Sequence, residues 1–227
     1  MPAEISVIIP TLNAEAELPG CLEALMEGLH AGLIHDVIIT DGGSRDATLT
    51  IAEEVGAKIV GGPASRGGQL RRGCARARRP WLLVLHADTR LEEGWSVSVA
   101  EHLNRGACEP ACFRLRFRAT GFGAAWVAGW ANIRTRVFGL PYGDQGLLVS
   151  REVYETAGGY PDQPLMEDVA LIRNLPRAIM LPSAACTGAQ RYQAAGWFKR
   201  GGRNLWTLIR YLCGADPQVL ADSYRKP

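Results

Sequence analysis

Short apolar runs alternate with longer amphipathic stretches through the first half of the chain. The apolar runs cover residues 5–9, 37–39, 58–60 and 81–85. Stretches with the apolar spacing of a helix lie between them, at residues 14–29, 47–55 and 69–77. Short β-rich runs separated by helices predict a parallel sheet that helices cover on both faces. We therefore predict an α/β fold whose ligand site lies at the carboxyl ends of the strands.

The pattern changes in the second half of the chain. After a helix expected from near Leu91 to near Asn104, residues 112–118 alternate apolar side chains with arginine, which predicts a half-exposed strand at an antiparallel edge of the sheet. An amphipathic helix is predicted over residues 122–138 and a short strand over 146–149. The predicted fold is a mostly parallel sheet flanked by helices, with a short antiparallel or mixed second half and a helical C-terminus.

Composition narrows the class of protein. With 227 residues, of which 47% are hydrophobic and 21% charged, the chain can bury one substantial core. The net charge of +2 argues against nucleic acid as the main partner. No stretch reaches the roughly 20 consecutive apolar residues of a membrane span. The start, Met1-Pro2-Ala3-Glu4, lacks the basic and then apolar segments of a signal peptide. We therefore expect a cytoplasmic enzyme.

Basic residues are concentrated near the C-terminus. Residues 190–227 contain seven basic and two acidic side chains. Within this tail, an apolar stripe lies opposite basic residues and consists of Trp197, Phe198, Leu205, Leu208, Ile209 and Leu212. The stripe either packs on the protein, with Arg191 contacting a diphosphate, or lies on an anionic membrane surface or a partner.

A glycine-rich turn follows the second apolar run. Asp41-Gly42-Gly43 puts a carboxylate at the end of a strand, and the two glycines let a ligand approach the backbone closely. Asp41 could then hold the base or the ribose of a nucleotide. The alternative is a strand-to-helix turn in which Ser44 or Asp46 caps the next helix.

The fourth apolar run brings a second carboxylate to the same edge of the sheet. His86-Ala87-Asp88 follows the strand predicted at residues 81–85, so Asp88 is expected at the ligand edge rather than on a solvated face. Mg²⁺ and Mn²⁺ favour one or two carboxylates, with phosphate oxygens and water completing the shell. Alternatively, Asp88 caps the helix predicted to begin near Leu91.

Three further polar segments are candidates for the site. Glu167 and Asp168 begin a predicted helix, where they either complement the helix dipole or supply a general base toward an acceptor hydroxyl. Residues 143–145, Gly-Asp-Gln, form either a tight turn or a polar loop that points into the cleft. The basic, glycine-rich residues 66–73 suit either a phosphate or a solvated helix face.

Taken in order along the chain, these motifs resemble those of family 2 glycosyltransferases. The resemblance covers residues 4 to about 185, and residues 140–146 and 158–168 are similar to a compact bacterial subgroup of that family. It implies a GT-A fold in one domain over residues 1–189, with a nucleotide-binding half over about 1–105 and an acceptor-side half over about 106–189. Residues 190–227 would then be a basic helical appendage packed on the same domain.

The resemblance also implies roles for individual residues. Asp41 would read the nucleobase, and the nucleotide would further contact Pro10, Thr11, Leu12, Gly42, Gly43, Arg71, His86 and Ala87. Asp88 would bind Mg²⁺ or Mn²⁺ at the diphosphate, and Asp168, with Glu167 beside it, would be the catalytic base. Contacts to the acceptor or the diphosphate would come from Gly143, Asp144, Gln145 and Arg191. The family inverts the anomeric carbon, because the acceptor hydroxyl attacks C1 of the sugar directly as the nucleoside diphosphate leaves.

Two features depart from the usual pattern of the family. His86 replaces the first acid of the family's Asp-x-Asp motif, so Asp88 is the only carboxylate of the motif, and His86 itself either touches ribose or belongs to the core. The Gln-x-x-Arg-Trp motif of processive members is only loosely matched by residues 190–197. Transfer of a single sugar is therefore expected.

The expected partners are a UDP-, GDP- or dTDP-linked sugar and an unidentified small or lipid-linked acceptor. Peripheral contact of the C-terminal helix with the inner membrane is a further alternative. Two alternative functions also stay open. A sugar-phosphate nucleotidyltransferase normally carries a Gly-rich loop with Arg and Lys after its first strand, where this chain has Pro10-Thr11-Leu12-Asn13. A catalytically silent nucleotide-binding module would not need Glu167 and Asp168.

Overall fold

The computed structural model describes residues 4–106 and 109–225, without the side chain of Arg225. Met1, Pro2, Ala3 and Lys226, on which the sequence analysis drew, lie outside these residues. The strands are β1 (Ile5–Thr11), β2 (Ile34–Asp41), β3 (Lys58–Gly61), β4 (Trp81–Val84), β5 (Arg90–Leu91), β6 (Ala111–Phe117), β7 (Leu147–Ser150) and β8 (Ile179–Thr187). They form one mixed sheet in the order β3-β2-β1-β4-β7-β6-β8-β5.

The first half of the sheet is parallel, as predicted. β1 pairs in parallel with β2 on one side and with β4 on the other, and β3 extends the sheet beyond β2. Thr11 is the register partner of Asp41, so the carboxyl ends of β1 and β2 lie side by side. Successive residues of β1, from Val7 to Ile9, are fully buried on both faces of the sheet, which explains why this strand reads as a continuous apolar run.

The second half of the sheet is mixed. β7 pairs antiparallel with β4 and with β6, and β6 pairs in parallel with β8. The prediction that residues 112–118 form an edge strand is therefore wrong, because β6 lies between β7 and β8. Arg114 and Arg116 are exposed while Phe113 and Leu115 are buried, so the alternation predicted a strand correctly but carried no information about its neighbours.

Two strands have no counterpart in the sequence prediction. β8 contains Pro182 and a run of small residues, Ala184-Ala185-Cys186, and so lacks the alternation of a typical strand. β5 is only two residues long. Because Leu91 belongs to β5, the helix expected from near that residue begins instead at Trp95, after Gly94 turns the chain with φ +85°.

Helices cover both faces of the sheet. They are α1 (Leu18–His30), α2 (Thr48–Glu54), α3 (Arg66–Arg76), α4 (Trp95–Asn104), α5 (Phe122–Phe138), α6 (Arg151–Thr156), α7 (Glu167–Ile172), α8 (Gln190–Ala195), α9 (Trp197–Leu212) and α10 (Pro217–Arg225). On one face, α1 and α4 pack with Ile5, Val7 and Ile9 in one buried cluster. On the other face, α3, α6 and α7 pack with Ile8 and Ile38 in a second cluster.

The C-terminal helices are attached beside α7. Leu208 of α9 and Leu220 of α10 are buried against Leu165, Met166 and Val169. One side of α9 therefore packs on the rest of the protein. Of the apolar stripe predicted in the tail, Leu208 is buried there, but Phe198, Leu205, Ile209 and Leu212 are exposed, so the interpretation that the whole stripe packs on the protein is wrong. In the described part of the chain, no helix combines the length and apolar character needed to cross a membrane.

Candidate functional site

A cleft lies at the carboxyl ends of the strands, between the loop after β4, the turn before β7 and the C-terminal helices. The predicted site residues that line it are His86, Asp88, Gly143, Asp144, Asp168 and Arg191. The other lining residues are Arg66, Phe117, Tyr142, Leu165, Met166, Thr187, Tyr192, Arg200, Asn204 and Tyr224. The fold thus brings together polar side chains that lie far apart in the sequence, from Arg66 to Tyr224.

The loop that carries Asp88 is anchored by a charged cluster. Arg118, just after β6, donates to the Asp88 carbonyl oxygen over 3.3 Å and forms an ion pair with Glu17. Gln190 also donates to the Glu17 carboxylate. Partial burial by itself raises the pKa of Glu17, but these hydrogen bonds outweigh it and hold the pKa below its usual value. Asp88 does not cap a helix, since the next helix has Gly94 as its N-cap, so that alternative is wrong.

Two acidic side chains of the cleft have an oxygen atom available to a divalent ion. Oδ1 of Asp88 and Oδ1 of Asp144 are buried without a hydrogen-bond partner among the described residues. Unpartnered buried carboxylate oxygens are costly unless a cation satisfies them. Within residues 4–106 and 109–225, no three His, Cys, Asp or Glu side chains are grouped as a complete metal cage. The residues therefore fit an ion such as Mg²⁺ that takes most of its ligands from phosphate and water.

His86 packs closely against the turn before β7. A Cβ atom at Gly143 would lie 2.6 Å from Nε2 of His86, so this approach requires glycine. Burial lowers the pKa of His86, the positive charges of Arg66 and Arg191 lower it further, and Asp88 and Asp168 only partly oppose them. The imidazole is therefore neutral at neutral pH, and the positive charge of the cleft comes from its arginines.

Asp168 is oriented by two backbone amides. The Gly143 N–H donates to Oδ2 over 2.8 Å, and the Val169 N–H donates to Oδ1 over 2.8 Å. Two residues earlier, Met166 adopts φ +63°, a conformation that a side chain disfavours and that turns the chain into α7. Because each carboxylate oxygen keeps a further acceptor site, Asp168 can accept a proton from a hydroxyl placed in the cleft.

Glu167 points away from the cleft, unlike Asp168 beside it. Its side chain is 1% exposed, and Oε1 accepts an ion pair from Arg66 Nε over 3.1 Å. Burial raises the pKa of Glu167 and the Arg66 charge only partly offsets this effect. Glu167 thus contacts Arg66 while Asp168 lines the cleft, and the catalytic roles predicted for these two acids stay predictions.

The surroundings of Asp144 disfavour its ionised form. Burial raises its pKa to about 6, Arg134 opposes that rise, and the negative charges of Asp168 and Asp88 add to it. The neighbouring Tyr142 ring is covered by the guanidinium of Arg134 at 3.4 Å from the ring centroid. Asp144 therefore titrates near neutral pH, where a bound cation would hold it ionised.

Gln145 and Arg71 are among the predicted site residues that do not line the cleft. Gln145 is fully buried, where its side-chain oxygen accepts from Thr135 over 2.8 Å and its amide donates to the Phe113 carbonyl over 3.2 Å. It supports the turn and does not face an acceptor or a diphosphate. Arg71 is exposed on α3 and does not line the cleft, whereas Arg66 of the same helix does.

The glycine-rich start of α3 is explained by packing. The Gly67 N–H donates to the Gln163 carbonyl over 3.2 Å, and a Cβ atom at Gly67 would lie 2.0 Å from the Pro161 carbonyl oxygen. The glycine lets the helix end approach the loop that leads into α7. The closeness of this loop to α3 brings Arg66 within reach of Glu167.

The Asp41 turn lies at the same edge of the sheet. Its carboxylate accepts hydrogen bonds from the Thr11 hydroxyl over 3.0 Å, from the backbone of Gly43 and Ser44 over 2.7 and 2.8 Å, and from the Ser44 hydroxyl. Burial raises the pKa of Asp41, but these bonds outweigh it and the pKa falls below its usual value. Asp41 is therefore an ionised residue that shapes the loop, with its acceptor sites largely occupied by the protein.

The other residues predicted to contact a nucleotide surround this turn. Pro10 and Thr11 end β1, Leu12 is half exposed, and Gly42 has Gln69 within 3.0 Å of its would-be Cβ. The helix after the turn has Ala47 as its N-cap without a side-chain hydrogen bond, although Asp46 accepts from the Thr48 N–H over 3.1 Å. Ser44 bonds to Asp41 and Asn13 instead, so the cap predicted at Ser44 is wrong.

The C-terminal helices form a wall of the cleft that the sequence did not reveal. Tyr192 accepts from the Asn204 amide over 2.8 Å, Asn204 accepts from the Tyr224 hydroxyl over 2.9 Å, and Arg200 donates to that hydroxyl over 2.6 Å. Arg191 lines the same wall and lowers the pKa of His86, so its charge reaches the centre of the cleft. Contact of Arg191 with a diphosphate stays a prediction.

Comparison with known proteins identifies relatives of the chain. A model of the family described as Glycosyl transferase family 2 matches residues 6–139. An uncharacterized glycosyltransferase of Mycobacterium tuberculosis is 31% identical over 104 residues, which are 45% of each chain. A PGL/p-HBAD biosynthesis glycosyltransferase of the same species is 36% identical over 95 residues, 39% of this chain and 36% of the relative. The alignments thus span less than half of these curated relatives.

Solved structures show the same fold at low sequence identity. Staphylococcus aureus TarS (residues 1–349) has a TM-score of 0.65 and 14% identity, over 97% of this chain and 68% of the other. Glucosyl-3-phosphoglycerate synthase of Mycobacterium tuberculosis, solved with Mn²⁺, uridine diphosphate and phosphoglyceric acid, has a TM-score of 0.59 and 20% identity, over 93% and 79%. These likenesses show the GT-A fold that the resemblance implied.

Proposed function

The chain belongs to glycosyl transferase family 2, and we therefore propose that it is an inverting glycosyltransferase that moves one sugar from a nucleoside diphosphate to an acceptor hydroxyl. The observation that carries the proposal is the cleft itself. Asp88, with a buried oxygen that no described residue satisfies, and Asp168, oriented by two backbone amides, line the same space. In this proposal the diphosphate lies beside Asp88 and the acceptor hydroxyl beside Asp168.

In this proposal the donor lies across the first half of the sheet. The turn at Asp41 is rigid before any ligand binds, because the protein itself satisfies the carboxylate. The base and ribose would rest on Thr11, Leu12 and Gly42, and the diphosphate would extend toward Asp88. Relatives of the fold were solved with uridine diphosphate or with UDP-GlcNAc, which makes a UDP-linked sugar the first donor to try.

Asp168 would accept the proton of the acceptor hydroxyl. Its two backbone hydrogen bonds fix the carboxylate without neutralising it, and Gly143, which supplies one of them, cannot be replaced without displacing His86. Removal of the proton by a positioned base contributes about a hundredfold or more to a rate. Glu167 would act through Arg66, which it holds at the edge of the cleft, rather than on the substrate.

Asp88, with Asp144 nearby, would hold a Mg²⁺ or Mn²⁺ ion together with the donor diphosphate. Such an ion supplies charge stabilisation to the leaving diphosphate. Arg191 and Arg66 line the same cleft and would add positive charge where the leaving group becomes more negative. Neutral His86 adds no second negative charge beside Asp88, so it would not weaken the positive potential of the arginines.

We extend the proposal to the layout of the chain. The donor half would comprise about residues 1–105 and the acceptor half about 106–189. The appendage at 190–227 would belong to the acceptor side, in keeping with the contact of Tyr192, Asn204 and Tyr224 with the cleft. The acceptor would be a small or lipid-linked hydroxyl compound in the cytoplasm.

The test separates binding from transfer. With the full chain, UDP-, GDP- and dTDP-sugars are screened by thermal shift with and without Mn²⁺. A ligand at a hundred times its Kd should raise the Tm by about 5–10 °C. Asp88→Asn should abolish the Mn²⁺-dependent part of the shift, Asp168→Asn should keep it, and Glu101→Gln, an exposed acid on α4, should behave as the parent.

Turnover is then measured as release of nucleoside diphosphate. Because the acceptor is unidentified, water serves as the acceptor, and the assay follows hydrolysis of the sugar donor. Asp168→Asn should lower the rate by about a hundredfold or more. Proton NMR of the sugar first released reports whether its anomeric configuration is inverted. Parent-like turnover in Asp168→Asn would exclude Asp168 as the base, and the absence of any shift with all three donor classes would contradict the glycosyltransferase proposal.

A further inference from the structure

The helices α5 and α9 expose large apolar side chains in two parallel stripes. On α5 the stripe consists of Phe122, Trp126, Trp130, Ile133 and Val137, and Phe138 is exposed at the end of the helix. On α9 the stripe consists of Phe198, Leu205, Trp206, Ile209 and Leu212. We call the side chains of the two stripes together the apolar face. Monomeric soluble proteins rarely expose so many large apolar side chains side by side, so this face is expected to meet something other than water.

The two stripes join into one surface because α5 and α9 pack directly together. A Cβ atom at Gly123 would lie 2.6 Å from the Trp197 ring, so the helices approach closely at that point. The rings of Phe122 and Phe198, one from each stripe, have centroids 6.5 Å apart, and Phe122 also meets Trp126 at 6.0 Å. The apolar face is therefore continuous across the helix pair.

Burial of α9 is divided cleanly around its axis. A helix turns by about 100° per residue, so the exposed stripe covers one side and Thr207 and Leu208, which are buried, lie on the other. Lys199, Arg203 and Arg210 follow one flank of the stripe. The stripe of α9 thus meets α5, as at Phe198 and Phe122, but keeps a large exposed area, whereas the opposite side of the helix is buried on the protein.

The charged side chains that α5 and α9 themselves carry are all basic. Neither α5 nor α9 contains an aspartate or a glutamate. Arg136 on α5 and Lys199 on α9 are exposed, and Arg210 is partly exposed beside the stripe. A second copy of the chain that met this face with its own would bring these cations together, whereas an anionic surface would attract all of them.

From this charge and shape we propose that the apolar face docks the protein on an anionic lipid surface. Trp and Phe side chains favour the boundary between headgroups and acyl chains, and flanking Lys and Arg side chains meet the headgroup phosphates. The inference goes beyond the proposed transfer reaction and does not depend on it. Arg200 and Asn204, on the inward side of the same helix, line the cleft, so docking would also fix how the cleft faces the lipid.

The experiment is vesicle sedimentation with the full chain and without any sugar donor. Vesicles of mixed phosphatidylglycerol and phosphatidylcholine are compared with vesicles of phosphatidylcholine alone, at low and high salt. The parent should bind the anionic vesicles at least about tenfold more tightly, and salt should weaken that binding. The doubly substituted Trp126→Glu/Trp206→Glu variant should lose at least about tenfold in affinity for the anionic vesicles.

A matched control replaces two other exposed apolar residues. Trp126 and Trp206 are 57% and 61% exposed, and Val55 and Val97, away from the apolar face, are 56% and 59% exposed. Val55→Glu/Val97→Glu should therefore bind as the parent does. Equal losses in both double variants, or no binding of the parent to the anionic vesicles, would overturn the proposal.

Two further measurements keep the outcome decisive. Circular dichroism checks the fold of each variant, and if Trp126→Glu/Trp206→Glu unfolds, Arg136→Gln/Lys199→Gln replaces it and must remove most of the salt-dependent binding. Sedimentation velocity without lipid tests whether a second copy of the chain covers the apolar face instead. A parent dimer that the Trp126→Glu/Trp206→Glu substitutions turn into monomers would show that a second copy covers the face, and would refute lipid docking.

Discussion

Asp144→Asn should make the protein more stable, and the gain should depend on pH. The pKa of the Asp144 carboxyl rises from an ordinary value of 3.8 to about 6 in the folded protein, because burial and then the charges of Asp168 and Asp88 disfavour its ionised form. Between these two values the folded state holds a proton that the unfolded state has released. The carboxyl's contribution is therefore full below pH 3.8 and is lost as the pH rises through 6.

The size of the effect follows from the shift. Each pKa unit corresponds to about 1.4 kcal/mol, so ionising Asp144 costs the folded protein about 3 kcal/mol above pH 7, of which about 1.5 kcal/mol accrues between pH 5 and 8. Part of the Asp144 side chain is exposed in the cleft, and solvent screening makes about 3 kcal/mol an upper value. Asparagine carries no charge at any pH and should remove this cost.

The assay is urea unfolding of parent and variant from pH 5 to pH 8, followed by tryptophan fluorescence, with no metal or nucleotide present. The difference in unfolding free energy should grow toward high pH and level off above pH 7. Since the Asp168 charge contributes to the shift, the gain should shrink when Asp144→Asn is introduced beside Asp168→Asn. A difference that does not change with pH would refute the account of the cleft's electrostatics.

Two structural predictions concern packing. Gly123→Ala and Gly129→Ala both replace glycines of α5. The first substitution would place Cβ 2.6 Å from Trp197 and should destabilise the protein. The Cβ atom of the second meets nothing within 4 Å, so Gly129→Ala should raise the unfolding free energy by about 1 kcal/mol. Equal effects in urea unfolding would contradict the contact of α5 with α9. Gln69→Leu should lower the unfolding free energy by about 2–4 kcal/mol in the same assay. The buried Gln69 amide donates to the Thr11 and Thr40 carbonyls over 2.8 and 2.7 Å, and both carbonyls would lose this donor. A loss below about 1 kcal/mol would mean that water takes the place of the amide.

The parallel half of the fold was predictable because its strands are buried on both faces. Continuous apolar runs and helical spacing between them leave few alternatives, and the carboxylates that follow the strands then belong to one edge. Asp88 and Asp41 were placed at that edge by this reasoning alone. The mixed half was harder, because β8 is rich in alanine and contains Pro182, so its sequence shows neither alternation nor strong β propensity.

The errors at the site have a shared origin in side-chain direction. Helix α3 was predicted to start at residue 69 but starts at Arg66, and the missing turn hid which arginine faces the cleft. Glu167 and Asp168 are adjacent, yet a helix sends neighbours in directions about 100° apart, so only one of them reaches the cleft. The contribution of Tyr192, Asn204 and Tyr224 depends on how the last helices pack, which no local pattern encodes.

The cluster of Glu17, Arg118 and Gln190 joins three distant parts of the chain behind Asp88. A ribosome delivers these parts in order, and the cleft also needs Tyr224 from the last helix described. A growing chain can pair β1 with β2 early, but until α8 and α10 have emerged it lacks both the Gln190 part of this cluster and one wall of the cleft. A partly synthesised protein therefore has a folded sheet without a finished site, and any activity should arise only after α10 has emerged.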